Sequence, residues 1–124
     1  MNHNIIVGID GETAVATLLK KQGFAILAHN YRQRCGEIDL IATKGEVVCF
    51  VEVKTRQIEY FETSQVITKT KQNKIIKTAK YYALTNKIRD KVLRFDVAIV
   101  TGTKGEYSIR YLDNAFTSTT NYPY

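Results

Sequence analysis

Long apolar runs, cysteines and prolines are scarce in this chain, and each shortage removes a class of protein. No hydrophobic stretch reaches the roughly 20 residues that a membrane-spanning helix needs. The opening Met1-Asn2-His3-Asn4 lacks the basic cluster and apolar core of a secretory signal. A cytoplasmic location, with no membrane as partner, is therefore expected. The two cysteines, Cys35 and Cys49, have no cysteine or histidine at a metal-ligand spacing, which argues for reduced structural thiols and against a zinc site. The two histidines, His3 and His29, stand far apart without a catalytic partner pattern. The only proline falls at Pro123 in a polar C-terminal stretch, and no repeat or low-complexity tract is present.

What remains is an ordinary globular composition with a basic bias. A chain of 124 residues, 44% of them hydrophobic, builds one core, so residues 1–112 are expected to form a single domain and residues 113–124 a polar peripheral tail. Lysine and arginine outnumber aspartate and glutamate by 18 to 12, a net charge of +6 that suits a polyanionic partner. No recognition-helix or RNA-binding signature accompanies it, so binding is expected to select structure and not sequence.

Periodicity predicts a helix over 11–22, with Asp10 as its cap, Ala14, Val15, Leu18 and Leu19 as its apolar stripe and Gly23 as its stop. Strands are predicted over 24–31, 37–43 and 47–54. Strict alternation places Ile38, Leu40 and Ala42 on one side of the second, and the near-continuous apolar run of the third marks a strand buried on both faces. A helix over 66–86 presents Ile75, Ile76, Ala79, Tyr82 and Ala83 to the core, and strands over 92–100 and 106–112 follow, joined through Gly102-Thr103-Lys104-Gly105. The long helical link before Val92 suits a right-handed crossover to a parallel neighbour. The order is αβββαββ, an α/β fold with a mixed β-sheet flanked by helices.

Four charged residues break the apolar pattern: Glu37 and Asp39 on the second strand, Glu52 and Lys54 at the end of the third. A tight turn at Lys44-Gly45 would set Thr43 opposite Glu46, Leu40 opposite Cys49, Asp39 opposite Phe50 and Glu37 opposite Glu52, bringing all four to one side. Carboxylates held together repel, and either their pKa values rise or a divalent cation neutralises them. Oxygen ligands alone favour Mg²⁺ or Mn²⁺, ions that polarise a phosphoryl oxygen and acidify a bound water. Lys54 is placed to orient that water or to stabilise the crowded phosphate. Arg32, Arg34 and Arg56 flank this face, Lys71 and Lys74 begin the second helix, and together they suit phosphate contacts. Tyr31 and Tyr60 are candidates for stacking on unpaired bases.

Asp39, a gap of twelve residues, then Glu52-Val53-Lys54 resembles the PD-(D/E)XK nuclease superfamily, whose restriction-endonuclease-like core has the αβββαβ order. The wider string is more specific. Gly11-Glu12-Thr13-Ala14, Gly23, Asn30-Tyr31-Arg32, Gly36-Glu37-Ile38-Asp39-Leu40-Ile41-Ala42, Phe50-Val51-Glu52-Val53-Lys54-Thr55-Arg56 and Arg94-Phe95-Asp96-Val97 look like the YraN family, over about residues 8 to 100. That resemblance implies similarity to archaeal Holliday junction resolvases, which are homodimers with a magnesium-dependent site. It implies a metal-dependent endonuclease acting on branched, flapped or single-stranded DNA, the alternative being a non-catalytic nucleic-acid-binding module of the same fold. On this sequence Glu12 would reach the metal from the first helix, Asp39 and Glu52 would be its main ligands, and Lys54 the catalytic lysine. Glu37 is expected to support them from behind. Gln65 precedes the second helix, Lys71 resembles the family's basic position at its start, and the segment 58–68 lacks a glycine common there. Tyr60-Phe61 is a candidate dimer contact.

Overall fold

In the computed structural model, residues 3–56, 67–103 and 106–118 are described, with side chains over 11–56, 67–102 and 106–118. Tyr60, Phe61, Gln65 and most of the 58–68 segment lie outside them, as do Lys104-Gly105 and residues 119–124. The elements are α1 (His3–Lys21), β1 (Ala25–Gln33), β2 (Gly36–Lys44), β3 (Val47–Arg56), α2 (Lys69–Thr85), β4 (Val92–Thr103) and β5 (Glu106–Phe116). The strands form one mixed sheet in the order β1-β2-β3-β4-β5, antiparallel except for the parallel β3–β4 pair that the α2 crossover joins. This is the αβββαβ arrangement of a restriction-endonuclease-like core, extended by β5.

The helices cover opposite faces of the sheet. Val15, Ala16 and Leu19 of α1 bury against Leu40, Ala42, Cys49, Val51, Ala98 and Val100. Ile75, Ile76, Ala79 and Tyr82 of α2 bury against Ile41, Val48, Phe50, Phe95, Val97 and Ile99. Because β3 feeds both clusters, Val48, Cys49, Phe50 and Val51 are all buried, the two-sided burial that their apolar run predicts. Each such side chain contributes about 1.5–3 kcal/mol when fully removed from water.

Several boundaries differ from the periodicity reading. The helix α1 starts at His3, so Asp10 lies inside it and does not cap it; nothing from Asn4 to Ile9 stops a helix, since Gly8 costs only about 1 kcal/mol there. Its end is as predicted, with Gly23 at φ +93° and the Phe24 amide donating back to the Leu19 carbonyl at 2.9 Å. Thr68 caps α2, its hydroxyl accepting from the Lys71 amide at 3.2 Å. Strand β5 runs to Phe116 and not to Leu112, so the first four residues of the segment expected to be a tail are in the sheet. Phe116 supplies the reason, being buried and stacked on Phe95 with ring centroids 5.3 Å apart.

The β2–β3 hairpin turns one position later than Lys44-Gly45 implies. Lys44 pairs with Val47 and Leu40 with Val51, leaving Gly45 and Glu46 as the loop, with Gly45 at φ +57° where a type II′ turn needs glycine. Every partner therefore shifts by two residues from the expected register. Strand side chains alternate with period two, so the shift by itself leaves the paired residues from Leu40 to Lys44 on their expected faces.

Candidate active site

The β2–β3 ladder stops at Leu40–Val51, one step short of the two acids that would face each other next. There Asp39 uses its side chain in place of the ladder: the Val53 amide donates to Asp39 Oδ2 at 2.8 Å. This bond pins Asp39 to the backbone between Glu52 and Lys54. Strand β2 also breaks its alternation here, since Ile38 packs with the α2-side cluster while Leu40 and Ala42 pack under α1. The strict alternation expected for β2 thus fails at Asp39.

Asp39 and Glu52 are close enough for their carboxyl groups to hydrogen-bond. Burial raises Asp39 first, the Glu52 charge adds to it, and the Val53 amide offsets only part, leaving its pKa at about 7. The Glu52 side chain is 6% exposed and accepts two ammonium groups on one oxygen, Lys71 Nζ at 2.7 Å and Lys54 Nζ at 3.3 Å from Oε1. Burial and the neighbouring Lys71 lower the pKa of Lys54. Burial also works against the charge on Lys71, yet its hydrogen bonds to Glu52 and Lys54 outweigh that and raise it.

Glu12 reaches the same region from α1. Burial raises its pKa, a hydrogen bond from the Asn30 side chain lowers it, and the Glu37 and Glu52 charges act on it electrostatically. Helix α1 comes this close because residue 11 is glycine: a Cβ there would stand 2.7 Å from Thr55 Oγ1. Asn30 carries no role in the sequence reading, yet it holds Glu12. Its φ of +49° within β1 is a conformation that asparagine tolerates and β-branched residues do not, the one local signal that marks it.

Among the described residues, no group of three histidine, cysteine, aspartate or glutamate side chains is disposed to hold a metal ion. Asp39 and Glu52 are in contact and Glu12 stands near them, so the expected trio is not closed in this arrangement. A pair nonetheless fits Mg²⁺ or Mn²⁺, which take one or two carboxylates and keep water in their other positions. The mutual repulsion that lifts Asp39 is what such a cation would relieve.

Glu37 is exposed at the edge of the site and paired with Arg32 at 3.1 Å, so Arg32 already has a carboxylate partner. Arg34 is exposed in the turn between β1 and β2, and Arg56, the last residue of β3, donates to the Thr55 carbonyl at 2.9 Å. Lys71 and Lys74 share one surface, as their helical spacing predicts: with Gly36, Glu37, Thr68, Thr70 and Ile75 they line a cleft of about 270 Å³, and Lys71 connects it to Glu52. Tyr31 has its ring engaged, edge-on to Tyr82 at 5.0 Å. Both cysteines are free, with Cys49 buried. No helix among the described residues is long and apolar enough to cross a membrane.

A second buried acid on the sheet has a different setting. Asp96 of β4 is fully buried, faces Arg94 through both oxygens at 2.9 Å, and accepts from the Tyr111 hydroxyl and from the Asn114 amide. The bond to Asp96 raises Arg94, and burial together with that carboxylate raises Tyr111.

Residues 11–100 match the model of the uncharacterised protein family UPF0102. A UPF0102 protein of Clostridium botulinum (strain Loch Maree / Type A3) is 42% identical over 114 residues, covering 89% of this chain and 93% of its own. One of Clostridium perfringens is 38% identical over 117 residues, 92% of this chain and 96% of its own. One of Dictyoglomus turgidum is 39% identical over 117 residues, 92% of this chain and 99% of its own. None of these three family names specifies an activity.

Proposed function

The chain belongs to the UPF0102 family, the YraN family that its sequence resembles, and from its site we propose that it is a metal-dependent endonuclease acting on branched, flapped or single-stranded DNA. One observation carries the reading: two carboxylates in contact at the end of the β2–β3 ladder, with an ammonium from the same strand beside them. Such a cluster is costly to bury, and a purely structural strand end has no need of it.

Asp39 and Glu52 would hold the ion, with Glu12 in electrostatic reach. When bound, Mg²⁺ or Mn²⁺ supplies polarisation of a phosphoryl oxygen and an acidified water. The Val53 amide keeps Asp39 in place during this, so the ligand does not have to be ordered on binding. Lys54, its side chain 18% exposed, offers an ammonium to the charge that develops on the phosphate. Lys74, Arg34 and Arg56 are exposed around the same end of the sheet, where they suit the flanking phosphates.

The test is cleavage of labelled junction, flap and single-stranded DNA with Mg²⁺ or Mn²⁺. Wild type is expected to cut at least one of them, and Asp39→Ala and Lys54→Ala to lose at least about 100-fold in rate, the scale on which charge-stabilising groups act. A second reading, a binding module without turnover, is favoured by the open trio of acids and by the two ammonium groups already on Glu52. Binding that needs no metal, with no cutting of any substrate, would establish that reading and overturn the first.

A further inference from the structure

Lys71 is a DNA-contact candidate in the sequence, but its Nζ lies 2.7 Å from Glu52 Oε1, closer than the lysine of the motif itself. Resting on the reading of Asp39 and Glu52 as cation ligands, we infer that Lys71 is a positioning residue that occupies Glu52 as an internal counter-ion, yields that oxygen to a divalent ion, and turns to a substrate phosphate in the adjoining cleft.

Charge and space both support this. Asp39, Glu52 and nearby Glu12 set against Lys54 and Lys71 leave an excess of negative charge; a divalent cation would turn it into an excess of positive charge, and the departure of one ammonium restores the balance. Lys54 is the poorer candidate to leave, since its side chain is 18% exposed and it is anchored on a central strand. Lys71 is 43% exposed and rises from the first turn of α2, beside a cleft whose lining includes Lys74, Thr68 and Thr70. An ammonium released there finds hydroxyl groups and a second ammonium, a setting complementary to a phosphate oxygen. Metal and substrate would then help each other: the ion drives Lys71 toward the strand, and a phosphate draws Lys71 off Glu52. Coupling of this kind is reciprocal.

Mn²⁺ binding in the absence of nucleic acid, at one fixed pH, followed by calorimetry and by the loss of the free-ion electron-spin signal, tests the inference without relying on cleavage. Lys71→Met is expected to tighten Mn²⁺ binding by about 5- to 10-fold, in the range of a modest site-to-site coupling. Lys71→Arg, which keeps the charge, is expected to stay near wild type, and Lys77→Met, at an exposed position further along α2, to leave Mn²⁺ affinity unchanged. Equal affinity in wild type and Lys71→Met, or weaker binding in the variant, overturns the inference while leaving the metal site standing. Absence of Mn²⁺ binding in every protein overturns both the inference and the endonuclease reading beneath it.

Discussion

Two carboxylate sites sit on one sheet, fully buried Asp96 and half-buried Asp39 beside buried Glu52, and differ in how their charge is answered. Asp96 has a bidentate arginine, a tyrosine hydroxyl and a backbone amide, a complete shell drawn from β4 and β5. Asp39 has one amide and a second carboxylate against it, and the ammonium groups nearby go to Glu52. A satisfied acid fixes a structure; an acid left with surplus negative charge is a place where a cation or a reaction is missing. The two cannot be told apart by residue type, since both are aspartates in apolar strands.

The comparison breaks first under truncation. Asp96→Ala leaves half-buried Arg94 and the Tyr111 hydroxyl without the fully buried carboxylate they share and is expected to cost about 3–5 kcal/mol in urea unfolding. Asp39→Asn in the same measurement is expected to cost nothing at neutral pH, because it removes repulsion and keeps an acceptor for the Val53 amide. Equal losses would erase the distinction.

A smaller effect is read from pH. Asp39 titrates at about 7 when folded against 3.8 as an ordinary aspartate, so its contribution is most favourable below about 4 and is lost as pH rises toward 7. In metal-free protein the unfolding free energy of wild type relative to Asp39→Asn is therefore expected to fall by on the order of 2 kcal/mol across that window, discounted for coupling to Glu52. A difference that is flat with pH would mean that Asp39 carries no surplus charge in the folded protein.

The smallest effect sharpens the contrast in where the partners come from. Thr68→Ala removes the cap of α2 and is expected to cost about 1 kcal/mol in thermal or urea unfolding. It should also loosen Lys71 on Glu52, whereas Asp96, answered from its own and the next strand, should keep its partners. Lysine and tyrosine side-chain NMR signals in the variant check this.

Much of the architecture was legible because apolar spacing and glycine carry it: the Gly23 stop, the α2 core face, the two-sided burial of β3 and the parallel crossover follow from pattern alone. The acids meet despite a wrong turn position, because a shift of two residues preserves the face as far as Leu40–Val51 and the Val53 amide then holds Asp39 beside Glu52. The failures lie where tertiary contacts override local signals. Asp10 has the chemistry of a cap but sits inside a longer helix, Phe116 draws β5 past its polar stretch, and Ile38 leaves its alternation where β2 and β3 part. The partners of Asp96 and the bond from Asn30 to Glu12 span strands and a helix whose packing no local period encodes.

The crossover gives the site an order of assembly. Strands β1, β2 and β3 follow one another directly, so Asp39 and Glu52 meet through a short hairpin, whereas Lys71 belongs to the long connection that must close before β4 can pair. Closing that connection carries the larger entropic cost. The attraction between Lys71 and Glu52 acts at the start of the connecting helix and offsets part of it. The negative charge that would recruit an ion in the finished protein thus also helps to guide the helix onto the sheet during folding.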